Sequence, residues 1–432
     1  MAETVTMLVF ALMLLGCIAV DISVLYALSG GLICFCIYTL YSKYTLRDLA
    51  RMIWKGVKDS KTILLVFVLI GFLTASWRAS GTIPCIVYYS ASSMVAQYYL
   101  VLTFILCCGM SLLTGTSFGT VSTMGVICAG VGRALGVSEL YIGGAVLSGI
   151  YLGEQCSPMS SSALLVCELT GTNIYTNIAK VIKKIIVPLI GTTILYLWLG
   201  GEGTSVKEAI NTATVFMSEF SLDIVTLIPA LVIIVFSIFR IKVEVTMLVS
   251  VLTAGVLSIF WQGMSLQEFS RTLILGYHTQ REELSGLIDG GGLISMIDIG
   301  AIVAISSAYF GIFSSTKLLH KLKFWVREMA YHTNVYFATV IVSVVTCAIS
   351  CNQTLASMLT YEMTKKMVPD KGELAVNLET SVIVIAGLIP WSIACAFPLS
   401  VVGAPKESLL YASYLYLVPA WMLLCSLWKK RE

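Results

Sequence analysis

A short polar stretch in the first half of the chain, GEQCSPMSSS (residues 153–162), places one carboxylic acid beside four serine hydroxyls and a proline. The flanking residues are apolar enough to lie in a membrane. Carboxylate and hydroxyl oxygens bind a small hard cation such as Na⁺, and burial in an apolar environment favours the protonated form of a carboxyl group. The stretch therefore predicts a site at which a cation and a proton compete for Glu154.

Three further apolar segments are interrupted in the same way: LLTGTSFGTVSTMG (112–125), SCNQTLASM (350–358) and AGLIPWSIACAFP (386–398). Proline and glycine favour breaks in a helix, and irregular backbone at membrane depth is tolerated only inside protein or beside a water-filled cavity. Serine and threonine also mediate close packing between membrane helices, so each hydroxyl has that alternative role. The candidate ion- or substrate-binding residues are Thr116, Ser117, Thr120, Ser157, Ser160, Ser161, Asn352, Gln353, Thr354 and Ser392.

Two more acids begin or interrupt apolar runs, Glu379 in NLETSVIVIAG and Asp298 in MIDIGAIVAI. An acid inside a membrane is costly and usually functional, so these two residues and Glu154 are the candidates for proton and ion coupling. The alternatives are a cytoplasmic helix end for Glu154, a position at the membrane interface for Glu379 and no functional role for Asp298.

The composition predicts that membrane helices position these residues. Of 432 residues, 58% are hydrophobic and only 12% are charged, and the mean hydropathy is +0.91. A soluble domain carries about a quarter charged residues, and apolar runs of about 15–20 residues are typical of spanning helices. The predicted fold is therefore an all-α polytopic membrane protein with roughly 10–14 membrane segments.

An internal repeat organises the chain. TLRDLARMIWKG (45–56) matches SLQEFSRTLILG (265–276), and two later pairs follow in the same order: TVSTM with TLASM, and SPMS with IPWS. The spacing between partners stays between 220 and 234 residues. We therefore expect a duplication, with a first transmembrane repeat at 1–205 and a second at 206–432.

The charges of the loops predict how the two repeats are oriented. Residues 43–61 carry six Lys/Arg, whereas 262–292 carry two Lys/Arg among four acids; 82–97 carry none, whereas 312–327 carry four. Because positive loops stay in the cytoplasm, the repeats should be inverted relative to one another, as in alternating-access transporters whose broken helices meet near the bilayer midplane. The same rule places in the cytoplasm both termini and the segments 43–61, 240–242 and 317–327.

The sequence lacks the motifs that are typical of several other function classes. The sequence has no GxxxxGK[ST] loop for ATP, no zinc pattern and no HExxH, so we expect no cofactor and no nucleic-acid partner. An intramembrane hydrolase using Ser157 or Ser160 would need a general base within hydrogen-bond reach, and no histidine lies in a comparable run. That enzyme and a passive channel remain the less favoured alternatives.

These motifs give the chain a resemblance to the NhaC-type sodium/proton antiporter family. It is carried by TGTSFGTVSTMG, GEQCSPMSSS with GTNIYTNI, DGGGLISM, CNQTLASML, NLETSVIVIAGLIPWSIACAFPLSVVGAP and YLYLVPAW, which spread over nearly the whole chain. The resemblance implies exchange of Na⁺ for H⁺ across a bacterial or archaeal plasma membrane. Some similar proteins exchange organic acids, coupling malate to lactate. For this chain, assembly into a homodimer remains an alternative to a monomer.

The motif GEQCSPMSSS departs from the family pattern at two positions. Family members usually have an aspartate where this chain has Glu154, and a second aspartate where it has Ser161. The first change conserves the charge and the second loses a carboxylate. A less negative site slightly favours the organic-acid alternative.

Overall fold

The structure, a computed structural model, describes residues 2–20, 22, 24–59, 61–93, 98–200, 220–239, 241–279, 289–316 and 334–429. Within these ranges the chain is helical and contains no β-strand; a single antiparallel bridge joins Tyr277 and Gly290. The prediction of an all-α protein is therefore confirmed. The whole basic loop at 317–327 and Arg240 lie outside the described residues.

The first part of the chain forms α1 (Ala2–Ala19), α2 (Val24–Tyr41), α3 (Leu46–Asp59), α4 (Lys61–Ala79), α5 (Thr82–Ser93), α6 (Tyr99–Thr114), α7 (Ser117–Thr120), α8 (Val126–Ala134), α9 (Glu139–Cys156), α10 (Ser161–Thr170) and α11 (Ile174–Gly200). A short π-helix, Val121–Gly125, joins α7 to α8.

The second part forms α12 (Ile228–Ile238), α13 (Val243–Phe260), α14 (Leu266–Leu275), α15 (Ile297–Ser315), α16 (Val335–Ser350), α17 (Gln353–Thr364), α18 (Lys371–Thr380), α19 (Val382–Ile385), α20 (Ile393–Val401) and α21 (Ser413–Lys429). Short 3₁₀ turns occupy Ile224–Leu227, Ile294–Met296, Ala386–Leu388 and Lys406–Tyr411.

By length and hydropathy alone, one helix in the described ranges, Ile294–Phe313, can cross a membrane. The pair Lys371–Leu388 and Ile393–Val401, bent by 55°, passes the same test together. Other apolar helices are shorter, such as Tyr99–Thr114 and Val335–Ser350. The number of membrane crossings stays a prediction.

Each polar stretch identified in the sequence lies between the end of one helix and the beginning of the next. Helix α6 ends at Thr114 and α7 begins at Ser117; α16 ends at Ser350 and α17 begins at Gln353. Both junctions turn through a left-handed residue, Gly115 with φ 68° and Cys351 with φ 53°. Left-handed backbone suits glycine and is unusual for other residues, so the junction at Cys351 is held in place by its surroundings.

The two junctions share further local features. Helices α6 and α16 each have 16 residues, and the residues before α7 and α17 are both extended, Thr116 with φ −143° and Asn352 with φ −139°. The carbonyl oxygens two residues before the ends of α6 and α16 also receive hydrogen bonds from the SPMS and IPWS turns. Ser157 Oγ donates to Leu112 O (2.8 Å), and Trp391 Nε1 donates to Ala348 O (2.9 Å).

Matching N-terminal caps begin α3 and α14. The backbone N–H and hydroxyl of Thr45 donate to Asp48 Oδ2 (3.2 and 2.6 Å), and the backbone N–H of Asp48 donates to Thr45 Oγ1 (3.2 Å). Ser265 and Glu268 make the same three bonds. Each cap satisfies otherwise unpaired N–H groups of its helix.

Helices α3 and α15 approach so closely that only glycine fits at their contact. A Cβ added to Gly56 would lie 1.9 Å from the carbonyl oxygen of Ser307, and one added to Gly311 would lie 1.9 Å from that of Met52. Small residues permit such backbone contact between membrane helices. The contact joins an element from before residue 205 to one after it.

The Gly56→Ala substitution should destabilise the protein by about 1–3 kcal/mol, because the methyl group has no space beside the backbone of α15. Gly109→Ala in α6 is the control, since a Cβ there meets nothing within 4 Å. Thermal unfolding in detergent measures both. Equal midpoints for the two variants would contradict the close contact.

The cap of α14 should weaken in acid. Hydrogen bonds from the backbone and hydroxyl of Ser265 hold the pKa of the exposed Glu268 carboxyl below its usual range. A lowered pKa stabilises the folded state above the unfolded-state pKa of about 4.3, and this stabilisation is lost as the pH falls through the folded-state value. Hydrogen exchange in the first turn of α14, corrected for intrinsic rates, should therefore accelerate below about pH 4. Glu268→Gln, which keeps the cap without a titrating group, should remove this response.

Candidate functional site

The carboxylate of Glu154 is buried near the end of α9, with 4% of the residue exposed. Its Oε1 accepts hydrogen bonds from the backbone N–H and the hydroxyl of Ser117, both at 2.8 Å. Its Oε2 accepts from the hydroxyl of Ser162 at 2.5 Å. One side chain therefore joins the first turns of α7 and α10.

The position of Glu154 is set by close packing of α9 on α6. A Cβ added to Gly153 would lie 2.0 Å from the carbonyl oxygen of Ser111, so glycine is required there. The backbone N–H of Gly153 also donates to Ser111 Oγ at 2.9 Å. After the helix ends, Ser160 Oγ donates to the carbonyl of Glu154 (2.8 Å) and accepts from the N–H of Ala163 (3.1 Å). These bonds turn the chain back toward the carboxylate.

A cavity of about 410 Å³ opens beside this carboxylate. Residues from both sides of position 205 line it. They are Val66, Thr114, Gly115, Thr116, Phe118, Gly119, Glu154, Met159, Ser161 and Ser162, together with Glu244, Asn352, Gln353, Thr354, Ile393 and Ala394.

The N-terminal ends of four helices, α7, α10, α17 and α20, contribute to the cavity wall. Helix N-termini carry unpaired N–H groups and positive partial charge, which favours negative groups nearby. Two of these ends are linked directly, because Gln353 Nε2 donates to Ser162 Oγ at 3.2 Å. Asn352 caps α17, with its Oδ1 accepting from the N–H of Thr354 at 2.9 Å. The arrangement can hold an anion, or a carboxylate together with its cation.

A second buried acid lies next to this site but not in the cavity wall. Glu379 is 1% exposed, and its Oε2 has no hydrogen-bond partner among the described residues. Gln155 Nε2 donates to the backbone carbonyl of Glu379 (2.8 Å), and the Tyr414 hydroxyl donates to Gln155 Oε1 (2.6 Å). The residue next to Glu154 in the chain thus contacts the backbone of the second acid.

The structure brings together part of the predicted set. Seven of the predicted residues line the cavity or contact the Glu154 carboxylate: Thr116, Ser117, Glu154, Ser161, Asn352, Gln353 and Thr354.

Five other predicted residues lie outside the lining of this cavity. The hydroxyls of Thr120, Ser157 and Ser160 donate to backbone carbonyls, since they close helix ends and turns. Ser392 Oγ also bonds to the backbone, but it accepts the hydrogen bond, from the N–H of Ala394. Asp298 is exposed on the first turn of α15.

The sequence reasoning missed two residues of the site. Ser162 was part of the quoted stretch but not one of the candidate ligands, and it makes the shortest bond to Glu154. Glu244, the second residue of α13, lines the cavity from the other part of the chain. An acid at the start of an apolar run was the signal used for Glu379, and the same signal would have found Glu244.

Comparison with known proteins gives one family match across the chain. The sequence model of the "Na+/H+ antiporter family" matches residues 1–167 and 149–428. The Na⁺/H⁺ antiporter NhaC of Alkalihalophilus pseudofirmus is 27% identical, over 96% of this chain and 94% of its own length. The NhaC antiporter of Bacillus subtilis is 26% identical over 90% and 89%.

A relative with different cargo also matches. The malate-2H⁺/Na⁺-lactate antiporter of Bacillus subtilis is 26% identical, over 81% of this chain and 77% of its own length.

Ser160→Ala should lower the free energy of unfolding by about 1 kcal/mol, because it removes the N-terminal cap of α10. Ser161→Ala is the matched control, since the Ser161 side chain is exposed and has no hydrogen-bond partner in the part of the chain that the structure describes. Thermal unfolding of both variants measures the difference. A larger loss for Ser161→Ala would contradict the capping role of Ser160.

Proposed function

The chain belongs to the Na⁺/H⁺ antiporter family, and from that premise we propose that it exchanges Na⁺ for H⁺ by alternating access. It is a secondary transporter and not an enzyme. Its cargo ions and the lipid bilayer are its partners. We further propose a bacterial or archaeal plasma membrane, with both termini in the cytoplasm.

One observation carries the proposal. The buried Glu154 carboxylate faces a cavity and accepts hydrogen bonds from the first turns of two helices. A carboxylate in such a site has two ways to satisfy its charge, by binding a proton or by binding a cation. Exchange follows when the cation and the proton exclude one another.

The serine hydroxyls support both states of the site. In the structure Ser117 and Ser162 donate to Glu154. A hydroxyl oxygen keeps lone pairs when its hydrogen is donated, so the same groups can also face Na⁺. We assign Glu154 the coupling role and Thr116, Ser161, Asn352, Gln353 and Thr354 the lining of the ion path.

Glu379 is proposed as a second proton-binding group. It is buried, and it has an oxygen without a hydrogen-bond partner among the described residues. The contact through Gln155 gives the two acids a shared neighbour. Asp298 takes no part in this mechanism because its side chain is exposed away from the cavity.

We propose that the site is built from two inverted repeats, 1–205 and 206–432, with broken helices meeting near the midplane. The paired helix ends at Gly115 and Cys351 and the paired caps at Ser265 and Thr45 support this. So does the exchange of partners: α3 packs on α15, and α14 packs on α4. Inverted repeats allow a fixed central site to open to either side.

Organic-acid exchange is the second candidate. The specific observation that favours it is the set of four helix N-termini around the cavity, which suits a substrate carboxylate. The match to the malate/lactate antiporter agrees with this chemistry.

Glu154→Gln should reduce Na⁺-driven proton movement in proteoliposomes to the level of empty vesicles, because glutamine cannot release a proton. Glu168→Gln is the matched control, since Glu168 is exposed on the neighbouring α10. A pH-sensitive dye inside the vesicles reports the rate after a Na⁺ pulse. Wild-type rates in Glu154→Gln would refute the coupling role.

The same vesicles separate the two candidate substrates. Under the main proposal, Na⁺ alone moves protons, and external malate or lactate leaves the rate unchanged. If proton movement requires malate or lactate, the organic-acid function replaces the main one.

A further inference from the structure

A second cavity of about 680 Å³ lies apart from the ion site, between α11, α18 and α21. Three lysines line it, Lys180, Lys183 and Lys184, with Asn334 and Tyr336 from the start of α16. All three lysines belong to exposed positions of α11. We infer that this cavity binds the headgroup of an anionic phospholipid, an interaction that does not depend on which substrate is transported.

The charges in the cavity favour an anion. None of the three lysines forms an ion pair with another described residue. Two acids, Asp370 and Glu373, also line the cavity. Asp370 is engaged as the N-terminal cap of α18, with its Oδ1 accepting from the N–H of Glu373 at 2.6 Å. Three lysines against two acids leave a net positive charge.

An exposed apolar stripe on the same helix begins where the lysines end. After Lys183, exposed side chains follow at Ile186, Ile190, Ile194 and Trp198. Their spacing of four residues places them on one side of α11. The fifteen helical residues from Lys184 to Trp198 extend about 22 Å. This length exceeds the hydrocarbon thickness of one leaflet, which is about 15 Å. A lipid whose headgroup binds the lysines can therefore lay an acyl chain along this stripe.

The end of α21 places the cavity at the level of lipid headgroups. Met422, Cys425 and Ser426 line the cavity, and Trp428 follows with 74% of its surface exposed. Exposed tryptophan at a helix end is typical of the membrane–water interface. Basic pockets between membrane helices at this depth bind anionic headgroups. The apolar stripe favours a membrane lipid over a free phosphate, which would use only the lysines.

The test is native mass spectrometry of the purified full chain incubated with equal amounts of phosphatidylglycerol and phosphatidylcholine. Wild type should retain phosphatidylglycerol preferentially. The triple variant Lys180→Gln, Lys183→Gln, Lys184→Gln should lose retention on the order of tenfold. The matched control removes three exposed positive charges from α3, as Arg51→Gln, Lys55→Gln, Lys58→Gln, and should keep the wild-type preference.

A second measurement tests the acyl contact and protects against a misfolded triple variant. Ile190→Asn retains the lysines but interrupts the apolar stripe, and it should also weaken phosphatidylglycerol retention. Equal retention of the two lipids by wild type, or equal loss in both triple variants, would overturn the proposal. So would displacement of the lipid by millimolar glycerol phosphate, because the site would then recognise a free anion.

Discussion

The hydrogen bonds to the Glu154 carboxylate are the constraint around which the candidate site is arranged. A charge removed from water must be paired or hydrogen-bonded, and here the donors come from the first turns of α7 and α10. Both helices must therefore begin beside the end of α9. The close approach at Gly153 and the serine-rich turn that follows it satisfy this requirement.

Under the proposed exchange, ion occupancy and helix position belong to one equilibrium. The Ser117 and Ser162 hydroxyls contact Glu154 and begin helices that line the cavity. Binding of a proton or a cation to the carboxylate changes the hydrogen bonds that these two hydroxyls can donate to it. A ligand shifts a conformational equilibrium only through different contacts in the two states, and the donors supply such a difference.

The sequence indicated the polar stretches at which helices end and the buried acid that lines the cavity, because proline, glycine and a lone carboxylate are strong signals in an apolar background. It could not separate hydroxyls that line a cavity from hydroxyls that cap a helix. Ser160 and Ser161 are adjacent and chemically identical, yet Ser160 binds backbone groups and Ser161 lines the cavity. The direction of each side chain depends on where α10 begins. Glu244 begins an apolar run as Glu379 does, but only the fold shows that it lies beside cavity residues that are distant in the chain.

The glycine contact between α3 and α15 has a consequence for how the molecule can move. Backbones in direct contact at Gly56 and Gly311 leave no layer of side chains that could repack during sliding. Shear between packed helices proceeds by small side-chain adjustments, so these two helices should travel as one body. They come from opposite halves of the sequence. Under the proposed duplication, the mobile units of the transporter therefore need not coincide with the segments 1–205 and 206–432, and the boundary between moving parts would cross both segments.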